Sequence, residues 1–125
     1  MPFITTQQSK IFNMIPGITF TGLAAPSRGA KENAVWLVSI ASNTPGMSHR
    51  LTREEIFVGL EGMATATLDG VDYQLTPGAA IIVPPDTDFA LANPNSATFQ
   101  AVVVLPVGGQ AYVAGEAPFT PPWAA

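Results

Sequence analysis

The chain has 125 residues, 47% of them hydrophobic and 11% charged, with five Lys and Arg against nine Asp and Glu and a formal net charge of −4. That length fits one domain of about 100–150 residues, with enough core to fold without staples. The acidic balance leaves no basic stripe for phosphates, which excludes a nucleic-acid partner, and the lack of cysteine excludes disulfides, thiolate metal sites and a Cys nucleophile.

In chain order, residues 1–15 are mixed in character and read as an N-terminal arm, without the basic start and long apolar stretch of a secretory signal. The longest apolar runs, such as Ala34 to Ile40, fall far short of the ~20 residues of a membrane helix. A cytoplasmic protein with no membrane partner is expected. Short β-rich segments follow at 18–23, 35–41, 56–60, 64–68, 73–75, 80–83, 89–92 and 99–105. Turn signals punctuate them at 44–46, 61–62, 69–70, 76–78, 84–86 and 93–95, a rhythm that predicts an all-β sandwich or barrel. Asp69-Gly70 between two alternating segments predicts a hairpin with positive φ at both turn residues. No stretch of a dozen residues keeps a helical period free of the twelve prolines and eleven glycines. Residues 116–125 form a Pro-rich extended tail, and its Phe119 and Trp123 are expected to pack on the barrel or on a partner subunit. A charge density below the ~25% usual for soluble domains predicts that part of the surface is covered by a second copy of the chain.

Two motifs stand in the middle. The first runs from Gly46 through His49 and Glu55 to Gly62, and the second from Gly78 through Pro84 to Asn93. Together, over residues 46–93, they resemble the conserved core of the cupin superfamily, in its small single-domain, RmlC-like form. The resemblance implies an all-β fold, the cupin double-stranded β-helix or jelly-roll barrel, covering 1–125 as one domain and dimerising through its N-terminal strands. The family's first motif carries two histidines one residue apart, then a Glu and a second Gly; with Glu55 and Gly62 in register, His49 takes the first His position and Leu51 the second. In the second motif Asp86 replaces a Gly and Phe89 replaces the last His.

The implied interior is lined by His49, Leu51, Glu55, Phe57 and Phe89, with Gln100 and Tyr112 as further polar contacts to a ligand. His49 is the one histidine of the chain. A divalent metal needs about three or four N or O ligands; only His49 and Glu55 remain of the family's set, with Gln100 or Glu54 as a conceivable extra oxygen, and apolar bulk occupies the other positions. No metal cofactor is therefore expected, and the site reads as a barrel holding a small organic ligand, with His49 and Glu55 as a metal-free acid–base pair. Burial should raise the pKa of Glu55 unless a cation stands beside it. Two alternatives stand beside this reading. One is a metal-dependent cupin enzyme of dioxygenase or isomerase type with a reduced ligand set. The other is a non-catalytic sensing or structural module in which His49 and Glu55 bond each other or local backbone. Arg50 and Arg53 read as a solvated ion-pair face, Trp36 as core or dimer interface, and 106–110 as a flexible turn without the Lys and helix of a phosphate loop.

Overall fold

Alternation explains the strands. From Asn33 to Ile40 the even-numbered residues Ala34, Trp36, Val38 and Ile40 are buried and the odd ones less so; a period of two puts one side of an extended chain against a core. The same logic buries Glu55, Phe57 and Gly59 on one strand and Phe99, Ala101, Val103 and Leu105 on another. In a computed structural model describing residues 2–125, eleven strands result: β1 (Lys10–Ile15), β2 (Ile18–Ala24), β3 (Asn33–Ile40), β4 (Arg50–Leu51), β5 (Glu55–Glu61), β6 (Ala64–Leu68), β7 (Val71–Leu75), β8 (Ala80–Val83), β9 (Phe89–Ala92), β10 (Phe99–Pro106) and β11 (Ala111–Tyr112).

One sheet runs β1-β2-β3-β10-β5-β8, a second β7-β6-β9, and a two-stranded piece joins β11 to β4. The strand pairs are antiparallel, with β10 central between β3 and β5. The fold is an all-β jelly roll whose core lies between these sheets. Helix is confined among the described residues to three short 3-10 turns.

The turn residues do what their motifs need. Asp69 and Gly70 take φ of 49° and 83°, the left-handed pair that a tight hairpin demands. Asp86 stands at φ 56°, which shows why the resembling motif has Gly there and why Asp, tolerant of that conformation, can replace it. Asn93 is fully buried and clamps the chain: its Nδ2 donates to the carbonyls of Ile40 at 3.0 Å and Ala97 at 2.8 Å, and its Oδ1 accepts from the Asn95 N–H at 3.1 Å.

Two expectations for the chain ends need correction. The segment 1–15 is not an arm throughout: Met1 lies outside the described residues, but 10–15 form β1, hydrogen-bonded to β2. The β1 sequence does not alternate, since Ile11 stands beside Phe12 and Met14 beside Ile15, and the pairing shifts register between Phe12 and Ile15. The tail does pack on its own barrel through Trp123, whose ring stacks on Phe20 with centroids 3.6 Å apart and planes 2° from parallel. Phe119, by contrast, stays 53% exposed; only its backbone is held, by two 2.9 Å hydrogen bonds with Ala111.

Candidate functional site

Between the sheets lies a cavity of about 410 Å3. β2 contributes Ile18 and Phe20 to its wall, β3 Trp36, Val38 and Ile40, β5 Glu55 and Phe57, and β9 Phe89 and Leu91; Leu51 of β4 and the tail residues Pro121 and Trp123 close it. Its polar side chains are Thr44, His49 and Glu55. The lining is otherwise apolar and holds neither Lys nor Arg.

Glu55 opens β5 opposite Val83 and is 4% exposed. Strand parity turns it inward with Phe57. Its Oε1 has no hydrogen-bond partner, and burial without a neighbouring cation pushes the carboxyl up from its ordinary 4.5 to about 8. At neutral pH this group is a carboxylic acid, able to donate a hydrogen bond as well as accept one.

His49 precedes β4 and is bridged to Phe89 by two backbone hydrogen bonds of 2.9 Å, with the two rings edge-on at 5.9 Å. Its Nδ1 lies 2.9 Å from the Met47 carbonyl oxygen. A carbonyl can only accept, so Nδ1 carries the proton and Nε2 of the neutral ring keeps its lone pair. His49 and Glu55 thus share the cavity wall without bonding each other; of the contacts that the non-catalytic reading expects, His49 makes the one to local backbone and Glu55 Oε1 makes none.

Leu51 is 2% exposed and Phe89 1%. Phe57 packs on Phe89 with centroids 5.1 Å apart. Leu51 and Phe89 fill the positions where the resembling motif places imidazoles. Among the described residues no three His, Cys, Asp or Glu side chains gather where they could hold a metal ion. One imidazole and one carboxyl on the cavity wall are fewer than the roughly three or four protein donors that a divalent transition metal takes.

Gln100 and Tyr112 do not belong to the site. Gln100 sits on β10 between the inward residues Phe99 and Ala101, opposite Ser39 and Glu61, so parity turns it to the outer face. Tyr112 follows Ala111, which lines the cavity, and therefore faces away. Its hydroxyl donates to Asp86 Oδ1 at 2.6 Å, and that bond raises its pKa. Beside it, Arg50 Nε donates to Asp88 Oδ1 at 2.8 Å, which holds the Asp88 carboxyl below its ordinary value. Arg50 thus pairs with Asp88, on the outside of the barrel.

Phe20, Trp36 and Trp123 are cavity residues that sequence reasoning did not place there. Trp36 carried a usable signal, since it shares parity with the buried Val38 and Ile40. Trp123 carried none: the tail reaches the cavity only through the course of the chain after β11.

A family model described as a cupin domain matches residues 36–105, more than half of the chain. The dimethylsulfoniopropionate lyase DddW of Ruegeria pomeroyi is 34% identical over 67 residues, which are 50% of this chain and 44% of that protein; the match spans less than half the length of this curated relative. Among solved structures, an RmlC-like cupin from Shewanella frigidimarina covers 85% of this chain and 90% of its own at 20% identity, with a TM-score of 0.74. The polyketide cyclase RemF from Streptomyces resistomycificus covers 94% and 87% at 20% identity, with a TM-score of 0.76. Likeness at this level is likeness of fold.

Proposed function

The chain belongs to the cupin domain family, and we propose that within it this protein binds a small, largely apolar organic molecule inside the barrel without a tightly held metal. The observation that carries the reading is the cavity itself: about 410 Å3 of space walled by aromatic and aliphatic side chains, within the size range of small-molecule sites. A barrel serving only as a structural module would fill that space with side chains, as close-packed interiors do. Glu55 and His49 are the groups placed to hold or move a proton on the occupant, one as donor and the other, through Nε2, as acceptor. The absence of cysteine suits a cytoplasmic location, which belongs to the same proposal.

A second reading stands beside it, a metal-dependent cupin enzyme of dioxygenase or isomerase type with a reduced ligand set, and the lyase relative favours an enzyme over a passive module. Against it stand a donor set of only one imidazole and one carboxyl and the lack of any Lys or Arg in the cavity, which leaves the carboxylate of a substrate such as the lyase relative's without a counter-charge. Metal content and melting curves separate the two. The expected outcome is no stoichiometric metal, no shift of the melt in Mn2+, Fe2+, Ni2+ or Zn2+, and a rise with members of a panel of neutral bicyclic aromatics. A compound at a hundred times its dissociation constant stabilises by about 2.7 kcal/mol, readily seen in such a melt. Stoichiometric metal whose stabilisation disappears in His49→Ala would replace this reading with the second, and a panel without a single binder would remove it.

A further inference from the structure

Glu55 is the one polar side chain of the cavity with a buried oxygen that nothing in the protein satisfies. Leaving a buried polar atom unpaired costs about 1–3 kcal/mol, and the surroundings offer no relief. Phe57 and Leu51 are apolar, His49 is held to Met47 through Nδ1 and makes no hydrogen bond to Glu55 through Nε2, and Arg50 is turned outward onto Asp88. The missing partner must come from whatever occupies the cavity.

The chemistry of that partner is restricted by the same walls. An anion would enter a space with no cation to meet it, at the full cost of desolvating its charge. A cation would find aromatic faces but no counter-charge beside a carboxyl that burial keeps protonated. An uncharged oxygen that accepts a hydrogen bond needs neither. The rings of Phe20, Trp36, Phe57 and Phe89 on several walls favour a flat body over a branched one, because stacked or edge-on rings gain most from planar partners.

Resting on the proposed binding of an organic molecule, the geometry points to a narrower class: a neutral, planar ligand carrying a carbonyl oxygen that accepts a hydrogen bond from the Glu55 carboxyl. Glu55 is thereby the residue that selects ketones and aldehydes over hydrocarbons of the same shape. Anionic acids find no counter-charge in the same walls, and quaternary ammonium compounds gain no ion pair from a protonated carboxyl.

Quenching of Trp36 and Trp123, which both line the cavity, reads out the test. The probes are 2-tetralone, its hydrocarbon counterpart tetralin, 2-naphthoate and choline. At pH 7 the expected result is 2-tetralone at least about tenfold tighter than tetralin, as one hydrogen bond of about 1.4 kcal/mol allows, with 2-naphthoate and choline weaker still. Glu55→Gln, whose amide still donates, should keep the preference, and Glu55→Leu should abolish it. The carbonyl stretching band of 2-tetralone bound to the wild type should lie below its position in cyclohexane, a measurement independent of how well either variant folds. Equal affinity for tetralin and 2-tetralone, an unshifted band, a preference that survives Glu55→Leu, or tighter binding of either charged probe each overturns the inference. Tetralin binding as well as 2-tetralone would leave the apolar cavity reading standing; failure of all the probes and of the wider aromatic panel would remove both.

Discussion

A carboxyl that stays protonated to about pH 8 in the folded chain links the chemistry of Glu55 to stability. The unfolded state loses this proton near the ordinary value of 4.5, so between pH 4.5 and pH 8 the folded state holds one proton more than the unfolded one. Stability therefore falls as pH rises through that window and levels off above it, by an amount on the order of a few kcal/mol from this group. Glu55→Gln removes the ionisable group and with it this slope. Denaturant melts at pH 5 and pH 8.5 should show the variant close to wild type at the lower pH and more stable at the higher; a wild type with the same pH slope as the variant would show that Glu55 is ionised in the fold. At this scale the sequence was informative about identity and poor about direction. Parity from the motif pointed His49, Leu51, Glu55, Phe57 and Phe89 inward, but Gln100 and Tyr112 were misplaced. Nothing in a sequence says which face of β10 or β11 meets the core until both neighbours of each strand are known.

Strands and turns were more readable. The segments 64–68, 80–83 and 89–92 have the bounds of β6, β8 and β9, because each is a short apolar or β-rich run between strong turn residues. The two-residue strands β4 and β11 have no such pattern and exist only because they pair with each other. The turn glycines offer a test of why the motif has this shape. Gly62 has φ +70°, and a Cβ there would stand 2.3 Å from the Thr98 carbonyl oxygen; Gly70 has φ +83° with open space around it. Both Gly→Ala changes incur the left-handed backbone penalty of about 1 kcal/mol, and Gly62→Ala adds a backbone clash. Urea melts should place Gly70→Ala about 1 kcal/mol below wild type and Gly62→Ala at least about 1 kcal/mol below that. Equal losses would mean that the β5–β6 turn gives way freely and that Gly62 is there for its φ alone.

For the whole molecule, one sheet ends in β1, where Ile11 is 64% and Met14 65% exposed. An edge strand with apolar side chains and unpaired backbone groups is a site for pairing with another chain. The homodimer expected from the low charge density is proposed through this edge. Light scattering on the eluting protein should give twice the chain mass of 13.1 kDa, and Ile11→Lys with Met14→Lys should give a monomer that still melts cooperatively; a wild-type monomer at tens of micromolar would end the proposal. The sequence by itself determined the class of fold and most strand positions, and it puts Leu51 and Phe89 where the resembling motif has imidazoles, because these depend on spacing and residue type within a few neighbours. Only the tertiary structure decided that the barrel holds an open cavity, that Trp123 closes it from the far end of the chain, and that Glu55 is left without a partner. Those are consequences of how two sheets and a tail fill a volume, and no local pattern records how much of that volume stays empty.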